Sequence, residues 1–158
     1  HQPLNQSRRL DFPGAGAMLM TAIAHAFLTL SPLLDRMVAL SVETSAPLAL
    51  AVIPAGVTDA LAPVVDAAPT VTVLQHGWSH ANHAAPPAKK AELGADRPAA
   101  AVAAELAEGR SVLDRRFGPR ALPVLVPPWN RIAPGLAAGA WASPACRFSG
   151  RDVCQPST

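Results

Sequence analysis

Charged residues are scarce in this chain: Asp, Glu, Lys and Arg make up 15% of its 158 residues. Beside a hydrophobic share of 50%, that scarcity excludes a solvated disordered chain. Aromatic residues are scarcer still at 4%, and the 13 Lys and Arg are scattered rather than gathered into a basic stripe. Nucleic acid is therefore not an expected partner. Cysteine is limited to Cys146 and Cys154, both in the tail. Their spacing matches no common zinc pattern, and a small loop disulfide and two free thiols fit it equally, so the redox compartment is not set.

A long uninterrupted apolar run is also missing. Residues 12–34 contain no Asp, Glu, Lys or Arg, but His25 and Pro32 break the run, and no membrane partner is expected. Arg8 and Arg9 precede this segment, Ala24-His25-Ala26 has the small-x-small form of a cleavage site, and Ser7-Arg8-Arg9 has the outline of a twin-arginine signal. Asp11, Pro13 and two glycines at its start weigh the other way, toward a buried first strand or helix of the domain. A cytoplasmic location is slightly favoured over export. The chain opens on His1, which fits a processed product or a fragment.

What is present points to one domain with a single core. Much of the apolar content is alanine, and 17 prolines break any long helical pattern. Ser31–Ser45 reads as an amphipathic helix, with Ser31 as cap, Pro32 in the first turn, and Leu33, Leu34, Met37, Val38 and Leu40 as its apolar side. Pro47–Pro54 is a continuous apolar run bounded by prolines, the mark of a strand buried on both faces. A short helix over Thr58–Asp66 and a β-branched strand over Thr70–Gln75 follow. Asp96 is placed to cap a helix over about Pro98–Phe117, with Val102, Leu106, Val112, Leu113 and Phe117 as anchors, Gly109 as a weak point and Gly118 as the stop. Leu122–Val126 is the next buried strand, and beyond Arg131 the pattern becomes irregular. Helices alternating with strands predict an α/β domain with a parallel sheet.

In such sheets working residues gather where strands end. Two polar clusters occupy that position: His76–His83 after the Thr70–Gln75 strand, and Trp129–Arg131 after Leu122–Val126. Neutral imidazole is a good ligand for zinc and related divalent ions. His76 and His80 stand four apart, a spacing that lets both rings reach one ion from a tight loop. His83 either joins them or faces solvent. Incidental loop histidines satisfied by hydrogen bonds are the competing reading. Trp78 and Trp129 suit stacking on a sugar ring or closing a pocket wall, or simply packing. Asn130 either orients a substrate or closes a turn. Glu92 and Arg97 either pair on a lid over the mouth or are solvated surface charges.

The blocks LALAVIP, VTVLQHGWSHANHA, KKAELGADRP and LPVLVPPWNRI, in this order and spacing, resemble the polysaccharide deacetylase family over about Leu33–Pro134. The resemblance implies a partial distorted (β/α) barrel with a parallel sheet. It implies a metal-dependent hydrolase, zinc the expected ion, acting on the acetyl groups of a glycan or small acetylated substrate. His76-Gly77-Trp78-Ser79-His80 is similar to the family's His-[Ser/Thr]-x-x-His motif, which makes His76 and His80 the implied metal ligands, with Gly77 in place of the usual hydroxyl residue. Val126–Asn130 is similar to the family's groove-lining motif, with Trp129 as the aromatic and without the arginine. Trp78, Trp129 and Asn130 are the implied substrate contacts.

The departures bear on activity. The family's Asp-Asp pair, which supplies the catalytic base and the third ligand, is absent; only Asp11 stands in that region. The histidine that serves as general acid belongs beyond Arg131, where no family-like sequence follows. An activity that is impaired or lost is therefore expected, since water would lack its base and the leaving amine its acid. The alternatives are a non-catalytic α/β fragment that binds a metal or a sugar, and a scaffold whose histidines are incidental. Residues 1–32 and 135–158 stand apart from the family pattern, as a shifted reading frame or a damaged copy would make them. A three-stranded barrel fragment would also leave open sheet edges, inviting self-association.

Overall fold

The computed structural model describes residues 20–24, 32–139, 147–149 and 153–155. Asp11, the Ser31 cap, the twin-arginine-like segment and Cys146 lie outside the described residues. Met20–Ala24 forms strand β1, so part of the charge-free N-terminal segment is a strand. Helix α1 (Pro32–Thr44), β2 (Leu48–Val52), α2 (Leu61–Ala67), β3 (Val71–Gln75), α3 (Ala99–Phe117) and β4 (Ala121–Leu125) follow in order. The four strands form one parallel sheet in the order β1-β2-β3-β4. This is the α/β architecture that the alternating pattern predicts. No helix among the described residues is long and apolar enough to cross a membrane.

The reason for the continuous apolar run in β2 is its place between β1 and β3, where all five residues are buried. Leu48, Leu50 and Val52 pack with Leu34, Leu61, Val65, Leu113 and Phe117 in the main core, and Ala49 and Ala51 are buried between them in sequence. Helix α1 meets this core through Leu34, Met37 and Val38, and Ser41 is buried one turn further on. These positions repeat at i, i+3, i+4 and i+7, one helical stripe. Leu33 and Leu40 fall on the next stripe and are 63% and 39% exposed, which corrects their assignment to the packed side. The Ser41 hydroxyl donates to the Ala46 carbonyl at 2.5 Å and meets the Thr70 hydroxyl at 2.8 Å, so its burial is satisfied.

Helix α3 joins two clusters. Leu113 and Phe117 belong to the main core, while Val102 and Leu106 pack with Leu93, Leu125 and Leu136 in a second one. Between them Gly109 is buried against the end of β3: a Cβ there would lie 2.5 Å from Gln75 Nε2 and 2.9 Å from Pro54 Cγ. The sequence weak point is thus the place of closest approach between helix and sheet. Asp96 does not cap α3. Pro98 occupies the N-cap position with no side-chain capping bond, and its carbonyl accepts from the N–H groups of Ala101 and Val102.

Strand β4 pairs with β3 at Val73–Ala121 and Gln75–Leu125, so three residues of β4 stand opposite Leu74 alone. Pro123 sits in the middle of that irregularity, where a residue without an N–H interrupts the ladder least. Past Arg131, where the sequence pattern fades, Pro134–Gly139 forms a short helix α4, and β5 (Arg147–Ser149) and β6 (Val153–Gln155) form an antiparallel hairpin.

Candidate metal and sugar site

Because the sheet is parallel, all its strands end along one edge. His76 is the first residue past β3. Its N–H donates to Val52 O at 2.8 Å, and Val126 N donates to Gln75 O at 2.8 Å, so both neighbouring strands pin the backbone there. The His76 side chain is buried, with the residue 2% exposed, and its Nδ1 lies 2.8 Å from the Val126 carbonyl. A carbonyl only accepts, so Nδ1 carries a proton, which in the neutral ring leaves the lone pair on Nε2. A histidine whose far nitrogen is tied to a backbone carbonyl in this way is oriented as metal-ligating histidines are.

The chain then turns sharply. Gly77 has φ +62° and His80 φ +58°, both in the left-handed region. The turn returns the His80 ring toward His76, with ring centroids 5.0 Å apart. An ion bound tetrahedrally at about 2.0–2.1 Å from each imidazole would set two centroids about 5 Å apart, close to the separation of this pair. Trp129 comes from the loop after β4 and lies against His80, its ring centroid 4.2 Å away. Trp129 and Asn130 are themselves left-handed, each with φ 53°. Four of the six positive-φ residues described therefore belong to these two loops. A left-handed backbone at a non-glycine residue costs about 1–2 kcal/mol and persists only where the surroundings impose it.

Glu92, read from sequence as a surface charge or an Arg97 partner, is neither. It is wholly buried, and its Oε1 accepts from the N–H of Ser79 at 2.7 Å, the N–H of Trp78 at 3.2 Å and the Ser79 hydroxyl at 3.2 Å. Its Oε2 is buried without a hydrogen-bond partner. The segment that carries it is stapled in place. Asn82 Oδ1 accepts from the N–H groups of Ala84 and Ala91, His83 N donates to Ala91 O, and Ala133 N donates to Leu93 O at 2.7 Å. Gln75 was also missed. It is buried at the end of β3 and donates from Nε2 to Leu106 O at 2.9 Å and to Gly77 O at 3.1 Å, tying the turn to α3. The one hint in the sequence was that the apolar Ala91 and Leu93 flank Glu92; their burial on either side of it is visible only in the fold.

The other predicted residues divide. Trp78 is half-buried and enters the site through its backbone, accepting from Ala55 N at 3.0 Å and donating to Glu92. Asn130 is exposed, and its N–H closes a turn onto Pro127 O. His83 does not join the pair; its exposed ring lies 3.3 Å from Arg97 Nη1. Among the described residues no group of three His, Cys, Asp or Glu is gathered as a metal site would need. Of the predicted ligands, His76 and His80 are brought together, and Asp11 lies outside the described residues.

Arg97 makes a two-pronged contact with Glu105, at 2.5 and 2.8 Å. That hydrogen bond, aided by the arginine's charge, holds the Glu105 carboxyl below the usual glutamate range and raises the Arg97 guanidinium. A carboxylate depressed in the folded state stabilises the fold above the ordinary glutamate pKa, and that stability is lost as pH falls through the lowered value. The pair is partly exposed, so the contribution is modest, about 0.2–1 kcal/mol. Glu105→Gln is expected to lower the urea midpoint slightly near neutrality, where the carboxylate's contribution is fully present, and to flatten the acid limb below about pH 4.3, where the parent loses that contribution. An acid limb identical to that of the parent would remove Glu105 from the account.

Compared with protein-family models, with curated proteins and with solved structures, the chain matches none.

Proposed function

We propose that the chain is a polysaccharide deacetylase-like protein, a partial (β/α) barrel of that type, whose His76 and His80 hold a divalent metal, zinc first, and whose hydrolytic activity is impaired or lost. One observation carries the reading: two imidazoles with centroids 5.0 Å apart at the C-terminal edge of a parallel sheet, one of them anchored through Nδ1 to Val126 O. A bound ion of this kind supplies Lewis acidity and a water of lowered pKa. The chain's own residues do the rest of the holding. Val126 fixes the His76 tautomer, and Trp129 packs on His80 and offers an indole face for a sugar ring. Asn130, next to it in sequence and exposed, is the proposed partner of a substrate hydroxyl. The sequence holds no Asp-Asp pair to supply the base for water and a further ligand, which supports a low activity.

The same shortage favours a second reading, a non-catalytic module that binds a metal or an acetylated sugar. Calorimetric zinc titration of the full chain and its variants separates metal binding from incidental histidines. One ion per chain is expected, with His76→Ala and His80→Ala each weakening it about 100-fold. Zinc binding that survives both substitutions would sink the site. Acetate release from an acetylated chitooligosaccharide separates the two readings of the site, and near-background rates are expected. Robust turnover abolished by Asp11→Ala would establish an active enzyme with Asp11 as its base.

A further inference from the structure

We propose that Glu92 is a positioning residue for the His76–His80 pair: its buried carboxylate holds the intervening turn in the conformation that brings the two rings together. The proposal rests on reading that pair as the working site. Glu92 is 0% exposed, and none of the ion pairs among the described residues includes it. Burying a carboxylate without a cation is costly unless hydrogen bonds replace its water. The replacements here are concentrated on one short stretch, since all three donors to Oε1 belong to Trp78 and Ser79. Those two residues lie between the histidines, and the two N–H groups can converge on one oxygen only if the backbone turns as it does. An apolar side chain of the same size would fill the space at less desolvation cost but would leave both N–H groups without an acceptor.

The other oxygen shapes the turn from its far side. A Cβ at Gly77 would lie 2.0 Å from Glu92 Oε2 and 2.6 Å from Pro128 Cγ. Glu92 thus accounts for the glycine that stands where the resembled family carries a hydroxyl residue: the carboxylate occupies the room that a side chain at 77 would need. The following residue in the chain of consequences is His80. Its left-handed φ of 58° is imposed by the turn before it, and its ring reaches both His76 and Trp129 from that backbone. Glu92 reaches the metal ligands through the backbone of residues 77–79 and touches no substrate.

Two variants of the full chain test this: Glu92→Leu, which removes the acceptor, and Glu92→Gln, which keeps a neutral one. The metal-free proteins are compared first by NMR, through the His80 ring-proton shifts, which report the Trp129 ring current, and through hydrogen exchange at the Ser79 amide. Zinc calorimetry follows. In Glu92→Leu the His80 shifts are expected to move toward random-coil values, Ser79 exchange to accelerate at least 10-fold, and zinc to bind about 10–100-fold more weakly. Glu92→Gln is expected to restore most of each. A core substitution away from the site, Leu50→Ala, serves as control and is expected to leave the His80 shifts in place. A folded Glu92→Leu protein with parental His80 shifts and Ser79 exchange would overturn the proposal. Should Glu92→Leu fail to fold, Glu92→Ala removes the same acceptor, and parental Ser79 exchange and His80 shifts in that variant would overturn the proposal equally. If the parent chain binds no zinc, the metal reading falls, while the His80 and Ser79 measurements still decide the role of Glu92.

Discussion

Gly77→Ala is expected to lower the unfolding free energy by about 2–5 kcal/mol and to abolish zinc binding at the histidine pair. Two costs add. The residue keeps φ +62°, where an L side chain loses about 1–2 kcal/mol. The new methyl also meets Glu92 Oε2 at 2.0 Å, Pro128 Cγ at 2.6 Å and Glu92 Cδ at 3.0 Å. Overpacking of this kind costs about 1–3 kcal/mol, and Glu92 cannot swing away because it is wholly buried. Against a total stability of about 5–15 kcal/mol, such a loss is a large share. Urea denaturation reads it directly. The double variant Gly77→Ala/Glu92→Ala removes the obstructing carboxylate, so its destabilisation should fall short of the sum by about 1–2 kcal/mol. Strict additivity would mean that the methyl and the carboxylate do not meet.

Leu125→Ala is expected to cost about 2–5 kcal/mol and to weaken the site as well as the fold. Leu125 is fully buried at the end of β4, in the cluster formed with Leu93, Val102, Leu106 and Leu136. Its neighbours in sequence and space are the two supports of the histidines: Val126, whose carbonyl orients His76, and Leu93, next to Glu92. A cavity at Leu125 therefore loosens both. Leu50→Ala removes the same volume from the main core, at the middle of β2, and should cost a similar amount of stability. The two variants matched in urea midpoint should differ in zinc affinity, with Leu125→Ala the weaker binder by about 10-fold. Equal affinities would show that the second cluster supports the helix alone.

Where the sequence was readable, it was so for a physical reason. The runs at β2 and β3 are short, apolar and flanked by prolines or polar residues, and the helix over Ala99–Phe117 repeats its anchors each turn. Such local patterns survive folding because burial enforces them. The pairing of His76 with His80 was legible for the same reason, since both lie in one loop. The contacts that hold the pair were not. Val126 acts through a carbonyl, which no residue letter announces, and Glu92 lies 13 positions from its Ser79 partner across a loop. A charge in a polar stretch reads as solvated until the fold brings buried N–H groups to it. Leu33 and Leu40 erred in the opposite direction: apolar residues one stripe off the packed face look the same on paper as those on it.

The left-handed backbone shared by Gly77, His80, Trp129 and Asn130 has a consequence for how such a sequence can drift. Glycine is at ease in that conformation and asparagine tolerates it, whereas histidine and tryptophan are not. Glycine at 80 or 129 would relax the loop and gain stability while erasing an imidazole or an indole. A lineage under pressure only to stay folded would therefore shed its chemistry first at these positions.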